Sequence, residues 1–117
     1  MKIGIVACRV MKRELEACAA GAEAEIHSIF LEQGLHRTPK IMTPRIQEAM
    51  DSLPDGCDFV ALGYGLCSNG VVGVVSKRAP LVVPKVDDCI GIFLGSYERY
   101  LREFWKEPGT YWLTGGW

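Results

Sequence analysis

Short runs that are apolar at nearly every residue limit the folds open to this chain more than any other feature. Ile3-Gly4-Ile5-Val6-Ala7, Phe59-Val60-Ala61-Leu62 and Leu81-Val82-Val83 carry no alternating polar positions. A strand with one wet face alternates polar and apolar residues. Runs without alternation belong to strands covered on both faces, the condition of a parallel sheet between helices. The intervening segments supply those helices. Met11, Leu15 and Cys18 recur at helical spacing before Gly21, which reads as a glycine cap. Thr43 followed by Pro44 reads as an N-cap with proline at the first helical position, opening a helix with Ile46, Met50 and Leu53 as its buried stripe.

Two more strands are expected, from Ala24 to Phe30 and from Tyr111 to Leu113, with a turn at Pro54-Asp55-Gly56 before the third. Val71 to Val75 is read as a short crossover helix. Asp87-Asp88 then precede one amphipathic helix with Ile90, Phe93, Leu94, Tyr97, Leu101 and Phe104 on one face, ended by Pro108-Gly109. Strands and helices that alternate through short connections form right-handed βαβ units. The predicted fold is therefore α/β, a doubly wound, flavodoxin-like parallel sheet of five strands in the order 2-1-3-4-5. Residues 1–117 are expected to form one α/β domain whose last helix is missing. Its uncovered face is filled by a truncated segment or by a partner, a homodimer being one form.

A chain of 117 residues buries a core without needing disulfides. A formal charge of −1, with no cluster of Lys or Arg, excludes a nucleic-acid-binding stripe. No apolar run approaches the roughly 20 residues that span a bilayer, and the run from Met1 to Cys8 is too short for a secretory signal. A cytoplasmic location is expected. In a reducing compartment five scattered cysteines are thiols or metal ligands rather than a disulfide framework.

Open parallel sheets bind ligands outside the carboxyl ends of their strands, above all where strand order reverses. Cys8 follows strand one, Cys67 lies in the loop after strand three and Cys89 follows strand four, so three thiols fall on that edge. Strands lie about 4.8 Å apart, close enough for these loops to meet. With His36 from the loop after strand two, or Asp88, as a fourth ligand, Cys8, Cys67 and Cys89 make a ligand set for zinc, and the three cysteines alone can hold an iron–sulfur cluster with one open iron. The plainer alternative for each cysteine is packing, since cysteine behaves as a small hydrophobe. Cys18, on the expected buried stripe of helix one, and Cys57, before strand three, are read as structural, as is His27 within strand two.

Cys89 stands at the first turn of a helix, where the dipole favours a thiolate and the neighbouring carboxylates oppose it. Cys89 as nucleophile with Asp88 as acid or base is the catalytic candidate pair, with Cys67 the alternative nucleophile. Only one of Asp87 and Asp88 serves as the helix cap, and the other is free for chemistry. In the loop from Gly63 to Gly70, the residues Gly63, Tyr64, Gly65, Ser68 and Asn69 are candidates for cradling a bound group with backbone N–H groups, although neither the Walker pattern nor GxGxxG is present. Gly115-Gly116 and Trp117 are expected to close the floor and wall of that pocket.

The segments Ile5-Val6-Ala7-Cys8, Leu62-Gly63-Tyr64-Gly65-Leu66-Cys67, Asp87-Asp88-Cys89-Ile90 with Leu94-Gly95-Ser96, and Pro108-Gly109-Thr110-Tyr111 ending in Gly115-Gly116-Trp117 together resemble the prokaryotic domain-of-unknown-function family sixteen thirty-eight, over essentially the whole chain. The resemblance implies a longer parent, of which this chain looks like the N-terminal portion. It also implies proximity to corrinoid-dependent methyltransferases, whose components are then expected partners. It brings no established activity. A histidine-ligated corrinoid site is unsupported, since Cys8-Arg9 stands where an Asp-x-His-x-x-Gly loop would begin. A phospho-receiver would need an aspartate where Gly63 stands.

The leading expectation is a metal- or iron–sulfur-binding protein accessory to corrinoid or one-carbon methyl transfer. The alternatives are a thiol-dependent enzyme acting on a small anionic substrate, and a ligand-binding module without chemistry.

Overall fold

A computed structural model describes all residues, 1–117. Its centre is a four-stranded sheet, parallel throughout, in the order β2-β1-β3-β4, built from β1 (Lys2–Cys8), β2 (Glu25–Leu31), β3 (Phe59–Gly63) and β4 (Leu81–Val82). This is the expected arrangement short of its fifth strand. β4 shows why. Pro80 and Pro84 bracket it, and proline cannot donate to a ladder, so only two residues pair, with Val60 and Ala61. Such a short edge is a poor template for another strand, and Tyr111 to Leu113 is irregular backbone instead.

A 3-10 turn, Arg9–Met11, leads from β1 into α1 (Lys12–Ala20). Gly21 caps α1 as expected but at φ −93, so no left-handed residue ends the helix. α2 (Pro39–Asp51) starts five residues earlier than its Thr43-Pro44 pair suggests, at the equivalent pair Thr38-Pro39. Pro44 is left inside the helix. It is exposed, and so is Lys40, whose carbonyl loses its amide partner but stays open to solvent. The earlier start brings Met42 into the core, and Thr43 Oγ1 donates to the Gly70 carbonyl at 2.7 Å.

The core lies between one sheet face and α2. Met42, Ile46, Ala49, Met50 and Leu53 pack against Val6, Leu31, Val60, Leu62 and Tyr64. The opposite face is thinner, because α1 buries none of its residues. Cys18 is exposed, which corrects its placement in a buried stripe. Cys57 is half-buried, its thiol 3.3 Å from the Pro54 carbonyl. His27 pairs with Glu25 at 2.6 Å on the outer strand, a structural contact as expected.

Val71 to Val75 is a turn rather than a helix. The amphipathic stretch after Asp88 is two helices, α3 (Cys89–Leu94) and α4 (Tyr97–Lys106), because Gly95 takes φ 87 and Ser96 caps α4 by accepting from Arg99 N–H at 3.0 Å. No helix is long and apolar enough to cross a membrane.

Candidate functional site

The carboxyl ends of β1, β3 and β4 open into a cavity of about 670 Å³. Cys8, Cys67 and Cys89 all line it, together with His36, Tyr64, Ser68, Asp87 and Asp88. The sequence argument placed these residues on one sheet edge, and the structure brings them to one cavity. Cys8 is the last residue of β1, and its extended backbone begins the 3-10 turn. Cys89 is the first residue of α3, and Cys67 sits beyond β3.

The loop carrying Cys67 is bent hard. Cys67, Ser68 and Asn69 take φ of 48, 57 and 69, three consecutive left-handed residues without a glycine. Each costs on the order of 1 kcal/mol or more, so the surrounding structure must hold the bend. It does so through the loop after β4: Leu66 N–H donates to the Val86 carbonyl at 2.9 Å and Cys67 N–H to the Asp87 carbonyl at 2.7 Å. Gly65 permits that approach, because a Cβ there would stand 2.6 Å from the Asp88 nitrogen. The loop's amides thus tie Cys67 beside Cys89. Those of Leu66, Cys67 and Gly70 are all spent on carbonyls within the protein. Of the proposed cradle, Tyr64 and Ser68 line the cavity, while Gly63, Gly65 and Asn69 do not.

Asp88 is the α3 cap, its Oδ1 accepting from Ile90 N–H at 3.0 Å. Asp87 is the free, exposed carboxylate. His36, in the 3-10 turn Leu35–Arg37, is exposed at the rim. Glu32 completes the acidic part of the lining, held by a bidentate pair with Arg45 at 2.6 and 2.9 Å. No Lys or Arg lines the cavity.

Burial pushes all three thiols up. Cys67 rises to about 11 through desolvation, with Cys89, Asp88 and Cys8 adding repulsion. Cys89 rises to about 11 through desolvation, then the charges of Asp88 and Cys8. Cys8 rises by desolvation, offset in part by a hydrogen bond from Val10. At neutral pH these groups are protonated, and ionising one opposes ionising the next. As the side chains stand, no three His, Cys, Asp or Glu groups are close enough together to hold a metal ion.

Sequence reasoning missed two parts of the cavity. The first is its apolar wall, Phe93 and Leu94 on one side and the irregular C-terminal segment, Thr110 to Thr114, on another. That segment is seated by glycine: a Cβ on Gly116 would stand 2.2 Å from the Val10 carbonyl oxygen. Trp117 is a wall residue as expected, whereas Gly115 and Gly116 pack outside the lining, against Arg13 and Val10. The second miss is the Tyr64 side chain, buried and lining the cavity, in a loop considered only for its backbone. An aromatic residue inside a glycine-rich loop at a strand end was the available signal.

No curated protein and no solved structure matches this chain. A family described as "Protein of unknown function (DUF1638)" matches residues 30–117, a span that includes Tyr64, Cys67, Asp87, Asp88 and Cys89 and leaves Cys8 outside. The match covers three quarters of the sequence, and the chain belongs to the DUF1638 family.

Proposed function

We propose that Cys8, Cys67 and Cys89 hold a soft metal centre, a zinc ion or an iron–sulfur cluster, whose open position faces the cavity. The observation that carries this reading is the convergence of three thiols from three different strand ends on one cavity, where Cys8 opposes the ionisation of both Cys67 and Cys89. Several thiolates coexist at such a place only with a cation between them. Zinc at about 2.3 Å from each sulfur in a tetrahedron needs sulfurs about 3.8 Å apart. A cluster, with its thiolates on different irons, spans more. Either centre requires these side chains to draw together from where they stand. His36 and Asp87, both lining the cavity, are the candidates for a further ligand.

Two features count against the thiol-enzyme alternative. A thiol near 11 is almost fully protonated at neutral pH and a poor nucleophile without a metal. A small anionic substrate would meet Glu32, Asp87 and Asp88 with no Lys or Arg in the lining. The physiological role in this reading is accessory to corrinoid-dependent methyl transfer, for which the support is the family resemblance rather than the cavity. Metal, acid-labile sulfide and absorbance measured on anaerobically purified protein test the centre. Zinc, or iron with sulfide, in the wild type, lost when Cys8, Cys67 and Cys89 are all changed to Ser, is expected. Less than about 0.2 metal per chain would overturn the reading, given how tightly thiolate sites hold metal.

A further inference from the structure

The lining of the cavity limits what can fill it. Its volume, about 670 Å³, lies within the range of about 300–1,000 Å³ usual for small-molecule sites. Its walls are largely apolar, with Phe93 and Leu94 contributed by α3 and Trp112 and Leu113 by the C-terminal segment. Leu113 is 69 % exposed, so part of that wall is apolar surface left in water, and covering it is favourable. The charge of the lining has one sign: its carboxylates are Glu32, Asp87 and Asp88, with no Lys or Arg among the lining residues. Glu32 is neutralised by Arg45 and Asp88 accepts from Ile90 N–H, which leaves Asp87 free and exposed. Two lining residues, Tyr64 and Thr114, also carry buried hydroxyls with no hydrogen-bond partner, and a polar atom on a bound molecule would supply one.

We propose that the cavity binds a small organic cation, an apolar or aromatic body bearing an ammonium group, with the body against Phe93, Leu94 and Trp112 and the ammonium group at Asp87. An uncharged apolar molecule would strip water from Asp87 and return no partner, a cost that an ammonium group removes by supplying both charge and donors. An anion would meet three carboxylates with no cation in the lining to receive it. The proposal does not rest on the three-cysteine reading, since it uses the apolar wall and Asp87 rather than the thiols. It gives Asp87 to the ligand and leaves His36 as the remaining candidate for a further metal position.

Three fluorescent probes that share one aromatic body and differ in charge test this on the protein as purified: dansylcadaverine, a cation; N-pentyldansylamide, uncharged; and N-dansyl-6-aminohexanoate, an anion. Entry into an apolar cavity shifts dansyl emission to the blue, so titration at pH 7.5 gives each Kd. The cation should bind about tenfold tighter than the uncharged probe, the gain of a charge-assisted bond, and the anion should bind most weakly. Asp87→Asn should remove that tenfold advantage and change the Kd of the uncharged probe by less than about twofold. Asp87 is exposed, so this variant should unfold in urea together with wild type. Leu113→Ala, at the exposed wall, should weaken all three probes by a similar factor, about threefold or more. Equal binding of the cation and the uncharged probe would overturn the proposal. So would tightest binding of the anion, a preference for the cation that survives Asp87→Asn, or no blue shift with any probe up to about 1 mM. None of these outcomes depends on the metal content of the protein, which is measured separately and decides only the three-cysteine reading.

Discussion

Gly65→Ala should pull apart the two loops that set Cys67 beside Cys89. The added Cβ would stand 2.6 Å from the Asp88 nitrogen, 2.8 Å from the Asp88 Cα and 2.8 Å from the Val86 carbonyl oxygen, all of them backbone atoms that no rotamer change can move. Relief requires the loops to separate by about 1 Å to reach ordinary contact of about 3.5–4.0 Å. That stretches the bonds from Leu66 N–H to Val86 and from Cys67 N–H to Asp87, now 2.9 and 2.7 Å, beyond useful length. Two lost backbone bonds at about 1 kcal/mol each, with some overpacking strain, sum to about 3 kcal/mol. For a domain of this size that lowers the thermal midpoint by on the order of 10 °C. Urea unfolding of the metal-free protein measures the loss, and metal content after anaerobic purification measures the damage to the site. Gly109→Ala, where a Cβ would meet nothing within 4 Å, is the control and should change stability by less than about 0.5 kcal/mol. If Gly65→Ala unfolds within about 0.5 kcal/mol of wild type, the close loop contact and the positioning argument built on it are wrong.

Ser68→Gly should stabilise the protein by about 1 kcal/mol in urea unfolding, because Ser68 is an exposed residue held at φ 57; a loss of stability would mean that its side chain supports the bend. In the metal-free protein at pH 7.5, iodoacetamide should modify exposed Cys18 fastest and Cys8, Cys67 and Cys89 slowly. Mass spectrometry of the peptides reads the order, and faster labelling of Cys67 or Cys89 than of Cys18 would restore the nucleophile reading. Folding favours the protonated forms of Cys67 and Cys89, whose ordinary value is 9.0 and whose folded value is about 11. Their contribution to stability is therefore present below pH 9 and lost as pH rises through about 11. The urea midpoint of wild type should fall more across that interval than that of Cys67→Ser/Cys89→Ser, and parallel curves would contradict the burial of the thiols. Gly116→Ala should lift the C-terminal segment off the Val10 carbonyl and expose Trp112, read as a red shift of tryptophan emission.

The parallel sheet was legible because burial on both faces is a property of composition. Ile3 to Ala7 and Phe59 to Leu62 leave no wet face, whichever neighbours they take. The convergence of Cys8, Cys67 and Cys89 followed from that, since strand ends in a parallel sheet share one edge and these residues stand at the end of one strand and in the connections after two others. Helix boundaries were less legible. Two Thr-Pro pairs carry the same local signal, and the choice of Thr38-Pro39 over Thr43-Pro44 depends on burying Met42 beneath the Gly70 loop, a contact between residues 28 apart.

What the amino-acid sequence by itself determined is the layer order and the edge that bears the thiols, because both follow from local periodicity and the handedness of βαβ crossovers. Tertiary structure alone decided the rest. Asp88 rather than Asp87 caps α3, Cys18 stays in solvent because little packs on the α1 face, and the C-terminal segment walls a cavity instead of extending the sheet. The burial of the Tyr64 hydroxyl without a hydrogen-bond partner is of the same kind. Each depends on which atoms meet across long stretches of chain, and close packing settles such meetings to within an ångström, a scale on which residue spacing carries no information.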